Sequence, residues 1–551
     1  MSRCPPGRGL DRRQLLLGAP GLAAAWTLGC APYPRAPGSF GEGVDLSAIS
    51  GGIVGASLEL GHRLRTGDLP EPSSVREVPL LILGGGIAGL SAGWKLLNSG
   101  VGDFELLELE DTVGGNSRWG ENEVSRFPWG AHYLPLPTPE CTAVHELLAE
   151  MDLIVGEHPD GTPIYDPRHL CHAPHERVLL DDGWRDGISA RDLMSSTEAA
   201  ELAAFERQVA IYRSWRGADG RPGFALPAAL SSPDPELLEL DSLSLRQDLD
   251  RRGWRSERLR WYLDYCCRDD YGCSLETTSA WAGWHYFCSR PEEVEYLTWP
   301  EGNGRVVQHF EARLGDRVRT GQLITRITPT ADGSQAGVAV DVLDAGRETV
   351  ERLHARHVIC ALPRFVVPYL IAGYELAGVE RFTYSPWVVA NLTVRRLPEG
   401  VAWDNVIYHS RSLGYVVATH QNLEIARQRS VLTYYLPLTD TDPSAARQSM
   451  LERSWEEWAS AILADLALAH PDIHSRVDHL DVMLWGHAMI RPVPGFFWSE
   501  ARRLAAEPFG AIHFAHSDMS GLSLFEEAQY QGVKAAEAVM SELGHAYRSS
   551  L

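Results

Sequence analysis

Gly84, Gly86 and Gly89 stand at the spacing that lets a polypeptide close around a pyrophosphate. The first glycine permits a tight turn, the second leaves room for phosphate against bare backbone, and the third lets a helix pack close to a strand. Ile87, Ala88 and Gly89 would then offer their N–H groups at the positive end of a helix. Glu108 follows Gly89 by nineteen residues, the distance at which an acid accepts both hydroxyls of an adenosine ribose. The chemistry implied is dinucleotide binding. It requires a buried strand before the glycines and a helix after them. Val78 to Leu83 is an uninterrupted apolar run, Leu90 to Leu97 has helical patterning, and Phe104 to Leu109 reads as the next strand. These elements form a βαβ unit.

The glycine fingerprint serves FAD and NAD alike, so the residues that follow decide between them. Six positions after Glu108 comes a second glycine pair, Gly114-Gly115, continuing into Asn116-Ser117-Arg118. Further on stand Trp129-Gly130-Ala131-His132-Tyr133, Pro300-Glu301-Gly302-Asn303-Gly304, Leu323-Ile324-Thr325-Arg326-Ile327 and Cys360-Ala361-Leu362-Pro363. Near the end lie Phe514-Ala515-His516-Ser517-Asp518 and Phe525-Glu526-Glu527-Ala528. From about 77 to 543 the chain resembles the flavin-containing amine oxidase and phytoene desaturase superfamily. The resemblance implies FAD as cofactor and an α/β fold: a Rossmann-type FAD-binding domain of the glutathione-reductase type with a discontinuous α+β substrate domain. It implies that Gly114 to Arg118 wrap the diphosphate and ribityl chain, and that Gly130, Ala131, His132 and Tyr133 lie near the flavin ring. By the same resemblance the backbone at Ile324 meets adenine, Ala361 belongs to a strand end beside the cofactor, and Asp518 contacts the ribityl chain. Phe525 and Glu526 then open a helix aimed at the flavin pyrimidine. His516 and Ser517 stand where the family favours glycine and an acid, so Asp518 falls one place out of register.

The residues that would name a substrate follow the family less closely. Its amine oxidases carry a lysine that holds water near the flavin; the corresponding stretch here is Val388-Val389-Ala390-Asn391. Half of an aromatic cage is expected two positions before the helix glutamate, where this chain has Leu524. An aromatic segment around Trp261 to Tyr271 and Trp281 to Phe287 contains Arg268, Asp269, Tyr271 and His285. Charge inside such a segment is costly to bury without a partner, and these four are the candidate catalytic residues. Ordinary helix packing accounts for the same pattern. Three functions stay open: an FAD-dependent oxidoreductase moving hydride from a small amine or other polar substrate to the flavin, a desaturase or isomerase of a hydrophobic lipid or polyene, and a non-catalytic flavin-binding protein. A quinone or another protein is the expected electron acceptor.

At 551 residues the chain exceeds a single ordinary core. Residues 77–135, 296–368 and 505–551 are expected to build the FAD-binding domain, and 136–295 and 369–504 the substrate domain. Within them, helices are expected at Thr197–Ser214, Asp234–Arg252 and Ala445–Ala469. Strands are expected through 315–363, and a strand followed by a long helix over Ile512–Leu543. The net charge of −23 argues against nucleic acid as a partner. Residues 1–30 read as a signal peptide: Arg12-Arg13 precede an apolar run too short to span a bilayer comfortably, an arrangement that resembles a twin-arginine signal. Thr27-Leu28-Gly29-Cys30 resembles a lipoprotein cleavage box. Export to the periplasm or to a lipid anchor is expected, with membrane attachment only through this terminus, and 31–76 as a leader. Nine cysteines show no framework spacing. His169, Cys171, His172 and His175 cluster without a familiar zinc pattern, and no metal is expected.

Overall fold

The computed structural model describes residues 45–551 apart from 68, 182, 190, 192–193, 292–294, 333–334, 372, 398–399 and 423–427. The twin-arginine and lipoprotein features lie outside the described residues. Two sheets organise the rest.

The apolar run before the glycines forms Ser74–Leu83, whose last four residues are buried. It pairs in parallel with Glu105–Leu107 on one side and with Thr349–Cys360 on the other. Val318–Arg319 adds a parallel edge beside Glu105–Leu107. Thr349–Cys360 spends its first half antiparallel to Gln335–Asp344 and its last residues parallel to Ile512–Phe514. Gln322–Asp332 completes the seven-stranded sheet. Three chain segments far apart in sequence therefore share one layer. The helix Ile87–Asn98 lies on one face, packed between Gly304–Leu314 and the long final helix Phe525–Glu542. Their buried faces form a common core with Leu80, Ile82 and Ile359. A Rossmann-type dinucleotide domain is the result.

The second sheet has eight strands around Tyr384–Arg395, in which every residue except Arg395 is buried. A strand covered on both faces reads this way in sequence. Val477–Ile490 and Arg429–Pro437 flank it in antiparallel pairing. One face carries the helices Pro443–Leu451 and Trp455–Leu466; the other faces a core shared by Ser196–Ser214, Leu245–Arg251, Glu257–Tyr271 and Ala280–Cys288.

Two expected helices are divided. Asp234–Arg252 breaks where Ser244 and Gln247 form a reciprocal capping box, and Ala445–Ala469 breaks where Ser454 and Glu457 do the same. Each serine accepts from the third backbone N–H of a new helix, which starts a fresh element within one apolar period. The stretch 31–76 is not only a leader. Ile53–Gly55 joins the eight-stranded sheet in parallel with Val482–Leu484, and Leu58–Thr66 is a helix ending at Gly67. Ser74, too, already belongs to the first strand of the dinucleotide sheet.

Candidate active site

Gly84 has φ +103°, and a Cβ there would stand 2.9 Å from Ala361 O. Glycine is required for that turn. Ala361 N donates to Leu83 O, so the end of one strand forms the floor beneath the turn at the end of its neighbour. A Cβ on Gly89 would fall 1.9 Å from Gly84 O, which fixes glycine where the helix leaves the turn. Gly86 differs: a Cβ there would meet nothing closer than Gly115 Cα at 4.0 Å. Gly114 N donates to Gly85 O, which clasps the two glycine loops edge to edge. Beside them lies a slot walled by backbone and headed by the first turn of Ile87–Asn98. The sign of the helix dipole there suits a pyrophosphate.

Glu108 is set at the mouth of this slot. Its Oε2 accepts from Gly85 N at 2.6 Å and its Oε1 from Glu110 N at 3.0 Å. Burial pushes its carboxyl up, while those two N–H groups pull the other way. Its carbonyl accepts from Gln322 N, which draws in the strand carrying Ile324. Ile324 is buried, and the ladder shifts register immediately after it. Arg118 ion-pairs with Glu110 at 3.5 Å, and its Nη1 is buried without a hydrogen bond. Ser117 is buried beside it, and Asn116 O accepts from Ala131 N. A side chain on Gly130 would strike Asn116 O at 2.3 Å. The ring-side loop from Gly130 to Tyr133 is therefore strapped to the second glycine loop.

Beyond that loop lies a cavity of about 150 Å³ that includes Gly130, Ala131, His132, Tyr133, Asn116, Phe525 and Glu526 in its wall. Asp269 and Asp270 enter it from the end of Glu257–Tyr271, and the Tyr133 hydroxyl donates to each at 3.4 Å. Glu526 pairs with Arg290 at 2.6 Å, both almost fully buried. Tyr435, Trp485, Trp387, Val389 and Met489 reach the cavity from the eight-stranded sheet, and His132 lies against Tyr435 with ring centroids 4.6 Å apart. The cavity is thus aromatic on one side and carries three carboxylates to one guanidinium. A larger cleft of about 780 Å³ lies at the opposite end of the dinucleotide sheet. Arg76 and Arg319 span it by pairing with Glu105 and Glu351, so it is a surface ion-pair network remote from the glycine slot.

Of the four candidate catalytic residues, Asp269 lines the cavity. Three do not. Arg268 turns to Asp264, one helical turn back, and donates to Arg411 O. Tyr271 donates to Ala282 O inside the helical core. His285 hydrogen-bonds to Ala225 O and stacks on Trp281. Successive helical positions diverge by about 100°, so a run of polar residues cannot all meet one cavity. Asp518 is buried and holds the chain in place: its Oδ2 accepts from Arg364 N and from the Tyr384 hydroxyl. Burial works to raise this carboxyl, yet His516, Arg364 N–H and the Tyr384 hydroxyl outweigh it and hold it below the usual range. Oδ2 is thus taken by protein partners, while Oδ1 is buried with no hydrogen bond and is the atom left for the expected ribityl contact. Leu524 lines the cavity, so the cage position is aliphatic, while Tyr435 and Trp485 supply rings from strands that sequence reasoning did not single out. Arg290 was missed as well. His169, of the histidine-rich loop, accepts from Trp299 Nε1 and serves packing.

The sequence profile described as flavin containing amine oxidoreductase matches residues 87–540. No curated protein matches the chain by sequence. A putrescine oxidase variant aligns in structure with a TM-score of 0.63 and 17% identity, over 85% of this chain and 100% of its own. Cyclohexylamine oxidase from Brevibacterium oxydans gives 0.58 and 14%, over 85% and 100%. A CLA-producing fatty acid isomerase from P. acnes gives 0.59 and 16%, over 84% and 98%. The backbone slot, the acid at its mouth and a profile spanning most of the sequence agree: the chain belongs to the flavin containing amine oxidoreductase family, an FAD-dependent oxidoreductase.

Proposed function

We propose that the protein oxidises a small, cationic, amine-type substrate and passes the electrons to a quinone or a protein. The observation that supports this most is the pair Asp269 and Asp270 at one wall of a small cavity with Tyr435 and Trp485 at another. The flavin supplies the hydride acceptor. Asp269 and Asp270 attract the ammonium form and accept the proton the reacting nitrogen must lose before hydride can leave its α-carbon, the rings exclude water and confine that carbon, and Tyr133 holds the two acids in place. The names of the putrescine and cyclohexylamine oxidases with this fold favour the amine class. Acidic side chains in the cavity wall favour it over a long lipid chain. The test is anaerobic mixing of the FAD-loaded protein with short aliphatic mono- and diamines, followed at the flavin band. Bleaching that Asp269→Asn slows mainly through a higher KM is expected. No bleaching by any amine, with turnover of an unsaturated fatty acid instead, would overturn the reading.

A further inference from the structure

We propose that His357, His513 and Glu542 form a binding site for a divalent transition cation of the Zn2+ class, on the side of the dinucleotide domain away from the flavin. Among the described residues, the ligand atoms of these three all lie within 4.8 Å of one another. Sheet geometry brings the histidines together. Ile512–Phe514 runs parallel to the end of Thr349–Cys360 with His513 beside Ile359, so His357, two residues earlier, projects from the same face. That face is covered by the final helix, and Glu542 is the last residue of that helix. The imidazole centroids are 5.9 Å apart.

The distances match coordination. Glu542 Oε2 is 3.2 Å from His357 Nδ1 and 3.2 Å from His513 Nε2. Two ligand atoms about 2.0–2.1 Å from a tetrahedral zinc stand about 3.3 Å apart. Hydrogen bonding accounts for one of these approaches only: His513 Nε2 makes such a bond to Glu542, whereas His357 Nδ1 is buried with no hydrogen-bond partner. Two imidazoles and one carboxylate leave a fourth position for water, and Glu542, about half exposed, opens the site to solvent. A bound ion would tie the last turn of the final helix to two strands. The flavin end of that helix, at Phe525 and Glu526, lies at its other terminus.

The test uses the FAD-loaded protein, stripped with chelator and titrated calorimetrically with Zn2+ at neutral pH. One equivalent is expected, and Zn2+ should raise the melting temperature. Glu542→Gln sits at an exposed helix end and is expected to fold; it should lose on the order of tenfold or more in Zn2+ affinity. His357→Gln should do the same, with the flavin spectrum of both variants unchanged. Absence of stoichiometric Zn2+ binding to the native protein would overturn the proposal. So would binding that survives both substitutions, since the ion would then belong to other histidines.

Discussion

Glu108 shows how one side chain can serve both a ligand and the loop that receives it. Its carboxylate spans Gly85 N and Glu110 N, so it stiffens the glycine turn at the mouth of the slot. Glu108→Ala should weaken FAD binding by roughly 1–3 kcal/mol through lost charge-assisted bonds. Dilution and dialysis with the flavin absorbance as readout check this; full retention of FAD would refute the assignment. The lysines give a second prediction. Lys95 is locked against Glu537 and Ser550, and Lys534 is exposed on the final helix, so neither reaches the cavity. The guanidinium of Arg290 is there, but Glu526 pairs with it. Reduced enzyme should therefore reoxidise in air more slowly than with an added quinone, because developing superoxide finds little positive charge. Stopped-flow absorbance after dithionite reduction compares the two directly, and faster recovery in air would sink the idea. At this scale the sequence was legible where sterics are local. The glycine loops could be read because their spacing is local: Gly89 must clear Gly84 O five residues back, while Gly86 between them leaves open space. Arg290, Tyr435 and Trp485 could not, because they meet the cavity only after strands remote in sequence have paired.

Among elements, the final helix is the most constrained. A Cβ on Gly532 would stand 2.1 Å from Ala88 O, so this helix crosses the glycine-loop helix in backbone contact. Ala88 belongs to the first turn of that helix, where the phosphates are expected. Gly532→Ala should push the two helices apart at a cost on the order of 3 kcal/mol, lowering the melting temperature and FAD retention together. Unchanged values of both would show that the crossing can relax. The seven-stranded sheet was largely legible from continuous apolar runs and turn glycines. The division of the expected helices at Ser244 and Ser454 was written in their capping boxes, but an apolar period that continues across a cap conceals it. The joining of Ile53–Gly55 to Val482–Leu484 had a local trace, a short apolar piece between glycines, and no local sign of its partner.

For the whole molecule, the interface between the helical group and the dinucleotide domain holds a titrating group. Glu527 is fully buried, with Oε1 accepting from Ala228 N at 2.6 Å. Burial pushes its carboxyl up to about 7. An acid whose folded value is raised is protonated in the native state while the unfolded chain has already released its proton. Its contribution is present below about pH 4.5 and is lost as pH rises through about 7, a change of about 3 kcal/mol. Glu527→Gln keeps an oxygen for Ala228 N. Chemical denaturation across that window should show a flatter pH dependence than the native chain, with the variant relatively more stable near pH 8. Parallel curves for the two proteins would place the titration elsewhere.

The insertion of Ile512–Phe514 beside Thr349–Cys360 also sets a timetable. A ribosome adds that strand only some four hundred residues after the glycine slot has been specified. The final helix, which backs the slot's own helix, comes later still. Ile53–Gly55 waits in the same way for Val482–Leu484. A chain stopped before residue 512 would leave the ribosome with its nucleotide fold unclosed.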